Sequence, residues 1–359
     1  MSDLSWISLT PWDTISVRDG RSFDAGSDAL ATAVMPSPST TGGVIADAAA
    51  GLPERLIGPF PARLHEGGSP RMATPYFTAP ATLAIPRDRG GYAVLRPDLD
   101  GPVTDLPVAP LRPEVGERTE PAAGYVAGGA LQALLLDETD DEDLYDDAGV
   151  RVTPESELFH RETHVGLALD GRRAREGFLY AIQHLRPTVR DGNVTWLVGT
   201  QWPPPGAPAV DTSVSMGGRG RRVDALTVRL APHGMPMAPA DHPGGRVAVY
   251  CATPAWWPDG WSPPIPEGAE LVAAAVDRIP VTTRTVTAEG TTHRLLWCAR
   301  PGSVYHLRFA DESAAVHWSR THHGVSLLGS DPDPTTRRLG TAGFGIVFTG
   351  RWRPRREDR

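Results

Sequence analysis

The sequence predicts an α+β fold built in two halves, and three observations carry that prediction. Apolar residues alternate in many short, strand-length runs. Only two stretches, one in the 40s and one ending at Leu136, read as helices. The 38 glycines and 36 prolines make up about a fifth of the chain, against a usual share of about 12%. So much turn chemistry excludes a helical bundle or a coiled coil. With 359 residues the chain has room for two domains, each with a core of its own.

Trp6 to Val17 gives short apolar pieces broken by Pro11 and ends in Arg18-Asp19-Gly20-Arg21, where Asp-Gly is a hairpin-turn dipeptide. Ser37-Pro38-Ser39-Thr40 then supplies a capping signal ahead of a small-residue helix over Val44–Leu52. Strands are predicted around Leu56–Leu64, Tyr76–Ile85 and Tyr92–Leu95, and a second helix over Tyr125–Leu136. Further strands fall at Thr163–Leu169, Phe178–Leu185 and Val194–Val198. Trp202-Pro203-Pro204-Pro205-Gly206 reads as a linker, which puts the halves at 1–201 and 202–359. The second half opens with a glycine-rich turn feeding an alternating strand over 213–230, followed by Val247–Ala252, Leu271–Val276 (strand or short helix), Leu295–Ala299 and Val304–Phe309. It closes on the glycine loop GTAGFGIVFTGRW.

Cys251 and Cys298 stand far apart with no CxxC, which argues against a disulfide scaffold or a zinc site. The start of the chain has neither the basic nor the apolar region of a signal peptide, and the apolar runs are too short to span a bilayer, so no membrane association and a cytoplasmic location are expected. The net charge of −8 resides in one segment. Residues 137–147, DETDDEDLYDD, carry eight acids and no base, and the remainder is neutral. That run is expected to be a solvated loop. The C-terminal RWRPRREDR has the opposite sign and reads as a frayed end or as a partner or nucleic-acid contact. All 35 basic residues are arginine, so every phosphate contact made by a basic side chain falls to a guanidinium.

Four stretches could carry chemistry. A two-residue turn at Asp19-Gly20 would set Arg18 and Arg21 face to face, a pair that an anion would relieve. The hydroxyls of Ser37, Ser39 and Thr40 stand at a helix start, where phosphate can bind; a plain cap is the simpler reading. Gly217, Gly218 and Gly220 leave backbone bare beside Arg219, Arg221 and Arg222. Gly340, Gly343 and Gly345 admit a backbone or relieve crowding in a strand. Eleven histidines include the pairs His160/His164 and His322/His323, yet no metal-binding spacing and no nucleophile elbow accompany them. The Trp256, Trp257 and Trp261 trio is expected to pack in a core.

In this order, LTPWDTISVRDGRSFDAG, MPSPSTTGG, IGPFPARL with YFTAPATL, VGLALD with EGFLYAIQHLRP, GGRGRR, VAVYCATPAWWPDGW, ARPGSVYHLRF and GTAGFGIVFTGRW resemble the third-subunit family of type III-B CRISPR Cmr effector complexes, within the RAMP superfamily. The resemblance covers nearly the entire chain. It implies two ferredoxin-like (RRM-like) domains with long glycine-rich loops and β-hairpin insertions. It implies a non-catalytic subunit, without cofactor or metal, that grips the 5′ tag of the crRNA. Its partners would be the large polymerase/cyclase-like subunit and a backbone RAMP subunit, with target RNA nearby. The four stretches then become candidate RNA contacts. A RAMP endoribonuclease using histidine acid–base chemistry, and the equivalent subunit of another type III subtype, are the alternatives. Two departures stand out: Arg219 replaces the acid of the family's GGEGR, and GGVIADA follows PSPST where the family has GALR, so this segment brings no arginine.

Overall fold

A computed structural model describes all residues except 1–3, 19–29, 66, 69, 89, 103–106, 115, 117, 138–149, 190–192, 205, 219, 288–289 and 357–359. The labelled strands are β1 (Ser5–Pro11), β2 (Arg55–Leu64), β3 (Met72–Thr78), β4 (Tyr125–Ala127), β5 (Phe159–Asp170), β6 (Arg173–Pro187), β7 (Asn193–Gln201), β8 (Asp211–Ser215) and β9 (Arg222–Leu230). They continue with β10 (Arg246–Cys251), β11 (Ala269–Ala275), β12 (Arg278–Thr287), β13 (Gly290–Ala299), β14 (Val304–Phe309), β15 (Val325–Ser326) and β16 (Ile346–Arg351). The helices are α1 (Pro38–Ala48), α2 (Gly128–Leu136), α3 (Glu312–His322) and α4 (Pro334–Thr341). The mixture of antiparallel sheets and few helices is the α+β class the sequence predicts.

The first sheet runs β4-β3-β2-β7-β1-β9-β8, and Arg229 and Leu230 also pair in parallel with Met72 and Ala73, so the sheet curls until β9 meets β3. The second runs β11-β14-β10-β16-β15, all antiparallel. Within both, four strands repeat one order by chain position: second, third, first, fourth (β2-β7-β1-β9 and β11-β14-β10-β16). In the first sheet a helix, α1, joins the first of these strands to the second; in the other, α3 lies between the third and fourth. The Pro-rich run at 202–206, expected to divide the chain, instead joins β7 to β8 inside one sheet; the sheets change over between Leu230 and Arg246. Two long hairpins, β5–β6 and β12–β13, stand outside these sheets.

Period-2 alternation sends side chains to opposite faces. On β10, Ala248 and Tyr250 face the first sheet while Val247, Val249 and Cys251 face α3 and α4. The sheets pack through a shared core of Trp6, Phe60, Phe77, Leu197, Tyr250, Phe348 and Trp352, with α2 seated between them through Leu131 and Leu135. Gly350 makes room for α2, since a Cβ there would lie 2.5 Å from the Leu135 carbonyl oxygen. A second core, around Ile7, Leu9, Val44, Ile45 and Trp196, lies under α1. The expected Trp packing is observed at Trp257, which is buried and donates its indole N–H to the Tyr305 hydroxyl at 2.9 Å. Cys251 and Cys298 are buried thiols, and burial pushes Cys298 up to about 12.

Residues 352–356, read as part of a frayed end, form a strap against the fold. Trp352 is buried and donates to the Leu307 carbonyl at 2.9 Å. The Arg353 N–H donates to Asp137 at 2.9 Å, and Arg355 bonds to the carbonyls of Pro97 and Pro113 through its backbone N–H and guanidinium. Asp137, the first acid of the run read as a solvated loop, is itself buried: it ends α2 in a left-handed conformation (φ 48°) and pairs with Arg96 at 2.9 Å. The rest of the run lies outside the described residues.

Beneath the strap, on β14, His306 meets Trp352 edge-on at 5.6 Å, and burial pushes its imidazole down to about 4. Between pH 6.5 and about 4 the unfolded chain therefore takes up a proton that the folded chain refuses. Stability is fully present above 6.5 and is lost on acidification, by roughly 3 kcal/mol. A denaturant series from pH 7.5 to 4.5 checks this: His306→Gln flattens the profile, and an unchanged acid slope in that variant would contradict the assignment.

Candidate nucleic-acid interface

Two of the four sequence stretches meet at the Pro11 end of the first sheet, and a third follows a few residues along the chain from one of them. β8 and β9 form a hairpin whose turn, 216–221, holds Gly217 and Gly220 at positive φ (79° and 65°), a conformation that favours glycine. The turn docks on the chain leaving β1: the Gly218 N–H donates to the Ser16 carbonyl at 2.9 Å, and a Cβ on Gly217 would lie 2.6 Å from that oxygen. Gly217, Gly218 and Gly220 are otherwise exposed. Two residues beyond Ser16 stands exposed Arg18, whose bridge partner is Ala33. Position 18 bridges position 33, while Arg21, and with it the expected Arg18–Arg21 pair, lies outside the described residues, as does Arg219. From Ala33 the chain runs on to α1, which packs against both β8 and β2.

At that start Ser37 is a plain cap. Its Oγ accepts from the Thr40 N–H at 3.4 Å and lies 3.0 and 3.1 Å from the hydroxyls of Ser39 and Thr40. The three hydroxyls bond to one another and remain half-buried. Gly340, Gly343 and Gly345 lie elsewhere. Gly343 is buried against the Leu56 and Gly58 carbonyls on β2, and Leu56 pairs with Thr200, which lies at the Ser5 end of β1. Gly340 and Gly345 are buried against 326–329. These three glycines let backbones approach within the protein.

The rim also holds residues that the sequence reading passed over. Asp13 pairs with Arg186 and with Arg221 at 3.2 Å, and Arg186 also pairs with Glu162. The Arg186 hydrogen bond holds the Asp13 and Glu162 carboxyls below their usual range, and Arg186 is pushed up in turn. Arg222 lies over the Trp12 ring at 5.4 Å and bonds to the Ser213 carbonyl through its guanidinium. Inside the rim His184 meets Thr14 at 2.9 Å and stacks on His164 at 4.2 Å. The sequence pair His160/His164 is therefore not the spatial one: His164 meets His184 across the β5–β6 hairpin. Of the other pair, His323 is held by Thr349 and the Pro236 carbonyl, and burial pushes its imidazole down. Among the described residues no three His, Cys, Asp or Glu side chains stand close enough to hold a metal, and no helix is long and apolar enough to cross a membrane.

Two packed sheets, each holding an antiparallel four-strand set of the same order, and an arginine-lined rim define a two-sheet α+β protein. The fold is similar to that of a chain in the cryo-EM structure of the type III-B Cmr-beta bound to cognate target RNA and AMPPnP, state 1, and of a chain in the cryo-EM structure of the type III-B Cmr-beta bound to cognate target RNA. Each shares 12% identity with a TM-score of 0.50, over 97% of this chain and 99% of that one, a likeness of fold alone. The chain belongs to the CRISPR-associated protein Cas_Cmr3 family, whose model matches residues 7–352. No curated protein matches it.

Proposed function

We propose that this chain is the third subunit of a type III-B CRISPR interference ribonucleoprotein. In this reading it holds the 5′ tag of the crRNA and joins the large polymerase/cyclase-like subunit to a backbone RAMP subunit beside the target RNA. It is a scaffold, with no catalytic residue, cofactor or metal. One observation carries the reading: exposed Arg18 and the bare backbone of Gly217, Gly218 and Gly220 converge on one rim beside Arg221 and Arg222. RNA is held through phosphate, 2′-OH and splayed bases, and this rim offers guanidinium groups and free backbone for the first of these.

The repeated second-third-first-fourth strand order supports reading both units as ferredoxin-like domains, each with one of the two usual helices and the first with long insertions. In RRM-type domains the open sheet face stacks bases. Here those faces are buried against each other, which leaves rims and loops for RNA. Within the rim, the exposed turn and Arg18 carry the RNA contact; Gly340, Gly343 and Gly345, buried away from the rim, serve packing.

Arg18→Ala combined with Arg21→Ala is expected to weaken binding of tag RNA and to reduce the slope of log K against log salt by about one per lost phosphate contact. Equal affinity across the salt series would remove this segment from the interface. Incubation of the purified chain with labelled repeat RNA, without metal, is expected to leave the RNA intact. Cleavage abolished by His164→Ala or His184→Ala would make the protein an endoribonuclease instead.

A further inference from the structure

Trp12 is the large aromatic side chain of the rim, and it is 63% exposed. An indole has some 150–250 Å² to bury, and Trp6, Trp196, Trp257 and Trp352 show how readily this fold uses it. Trp12 belongs to none of the three cores. Yet it does not swing freely. Its indole N–H donates to Asp224 at 2.7 Å, the Arg222 guanidinium lies 5.4 Å from the ring centroid, and its backbone N–H donates to the Arg222 carbonyl at 3.1 Å. Asp224 is itself fixed by Ser213. The ring is held rigidly at the end of β1, in water, beside the exposed glycine turn.

From this geometry we propose that Trp12 is a stacking platform for one unpaired base of the bound RNA, resting on the RNA-binding reading given above. A flat ring held in advance loses little freedom when a base covers it, which is what makes aromatic platforms effective for single strands. Arg222 completes the platform from behind through a cation–π contact. The turn at Gly217, Gly218 and Gly220 lies where the adjoining sugar-phosphate backbone would pass. A protein partner is the poorer fit. Such anchors sit at the centre of an apolar, charge-depleted patch, whereas the groups fixing Trp12 are Asp224 and Arg222, with the Asp13–Arg186–Arg221 ion pairs next to it.

The test is binding of single-stranded RNA bearing the 5′ tag by the full chain, measured over a salt series. Trp12→Ala is expected to weaken binding roughly tenfold at an unchanged salt slope, because a stacked base releases no counterion. Trp12→Phe keeps a ring but loses the Asp224 bond, and it should retain most of the affinity. In a scan of abasic tags, one position should cost the parent chain about what Trp12→Ala costs, and cost Trp12→Ala nothing more. Parent-like affinity of Trp12→Ala overturns the inference while leaving the RNA reading intact. So does a Trp12→Ala chain that keeps its RNA but no longer co-purifies with the large subunit. Failure of the parent chain to bind the tag RNA at all brings down the RNA reading itself.

Discussion

Replacing Trp352 by alanine is expected to cost about 3–5 kcal/mol, the range for emptying a buried large aromatic site. The side chain is buried in the core shared by both sheets. Its indole N–H donates to the Leu307 carbonyl at 2.9 Å, the Arg246 guanidinium lies 5.5 Å from its ring, and His306 meets it edge-on. Truncation removes all three contacts and leaves a cavity in a packed core. The loss should appear as a lower urea midpoint, and Trp352→Phe should recover the packing part while forfeiting the hydrogen bond. A parent-like midpoint for Trp352→Ala would show that the strap adds nothing to the stability of the fold. A frayed tail would predict that parent-like result, so the experiment also tests the reversal of the sequence reading.

That reversal shows where the sequence was legible. Alternating apolar runs gave strands close to their true limits, as at Val247–Ala252 against the observed Arg246–Cys251, because a half-buried sheet imposes its own period. Two helices escaped. α3 buries only Ala315 and Ser319, and α4 only Thr336 and Gly340, so neither carries an apolar stripe. The capping signals were present: Asp311 accepts from the Ala314 N–H, and Asp333 precedes Pro334 and accepts from Thr336. Proline misled in the other direction, since the 202–206 run looks like a linker whether it joins domains or neighbouring strands.

For the interface, the turn glycines and the helix cap were legible because each follows from local backbone demands. Asp13, Arg186, Glu162 and His184 were not. They come from three separate segments and meet only through the β5–β6 hairpin and the end of β1. Single residues of ordinary type carry no spacing signal until a fold brings them together. Charge sums misled for the same reason: Asp137 counted as one more acid of the run, although its partners, Arg96 and Arg353, lie 41 and 216 positions away.

Arg96→Ala is expected to destabilise the chain by about 3–5 kcal/mol at pH 7, because removing one partner strands a buried charge. Arg96 is 1% exposed and reaches Asp137 at 2.9 Å and Glu114 at 3.3 Å. Burial already pushes the Asp137 carboxyl above its ordinary value, against the pull of Arg96 and Arg353. Without Arg96 it rises further. A carboxyl whose folded value lies above its unfolded one favours the folded state at low pH and loses that advantage as pH rises through the folded value. The deficit of Arg96→Ala relative to the parent should therefore shrink from pH 7 to pH 5. Adding Asp137→Asn should recover part of it at pH 7, since the stranded charge is then gone. Urea titrations of the single and double variants at both pH values decide the matter. A deficit that is the same at pH 5 and 7 and is untouched by Asp137→Asn would mean that Arg96 contributes packing alone, and that α2 and the C-terminal strap are not joined through this ion pair.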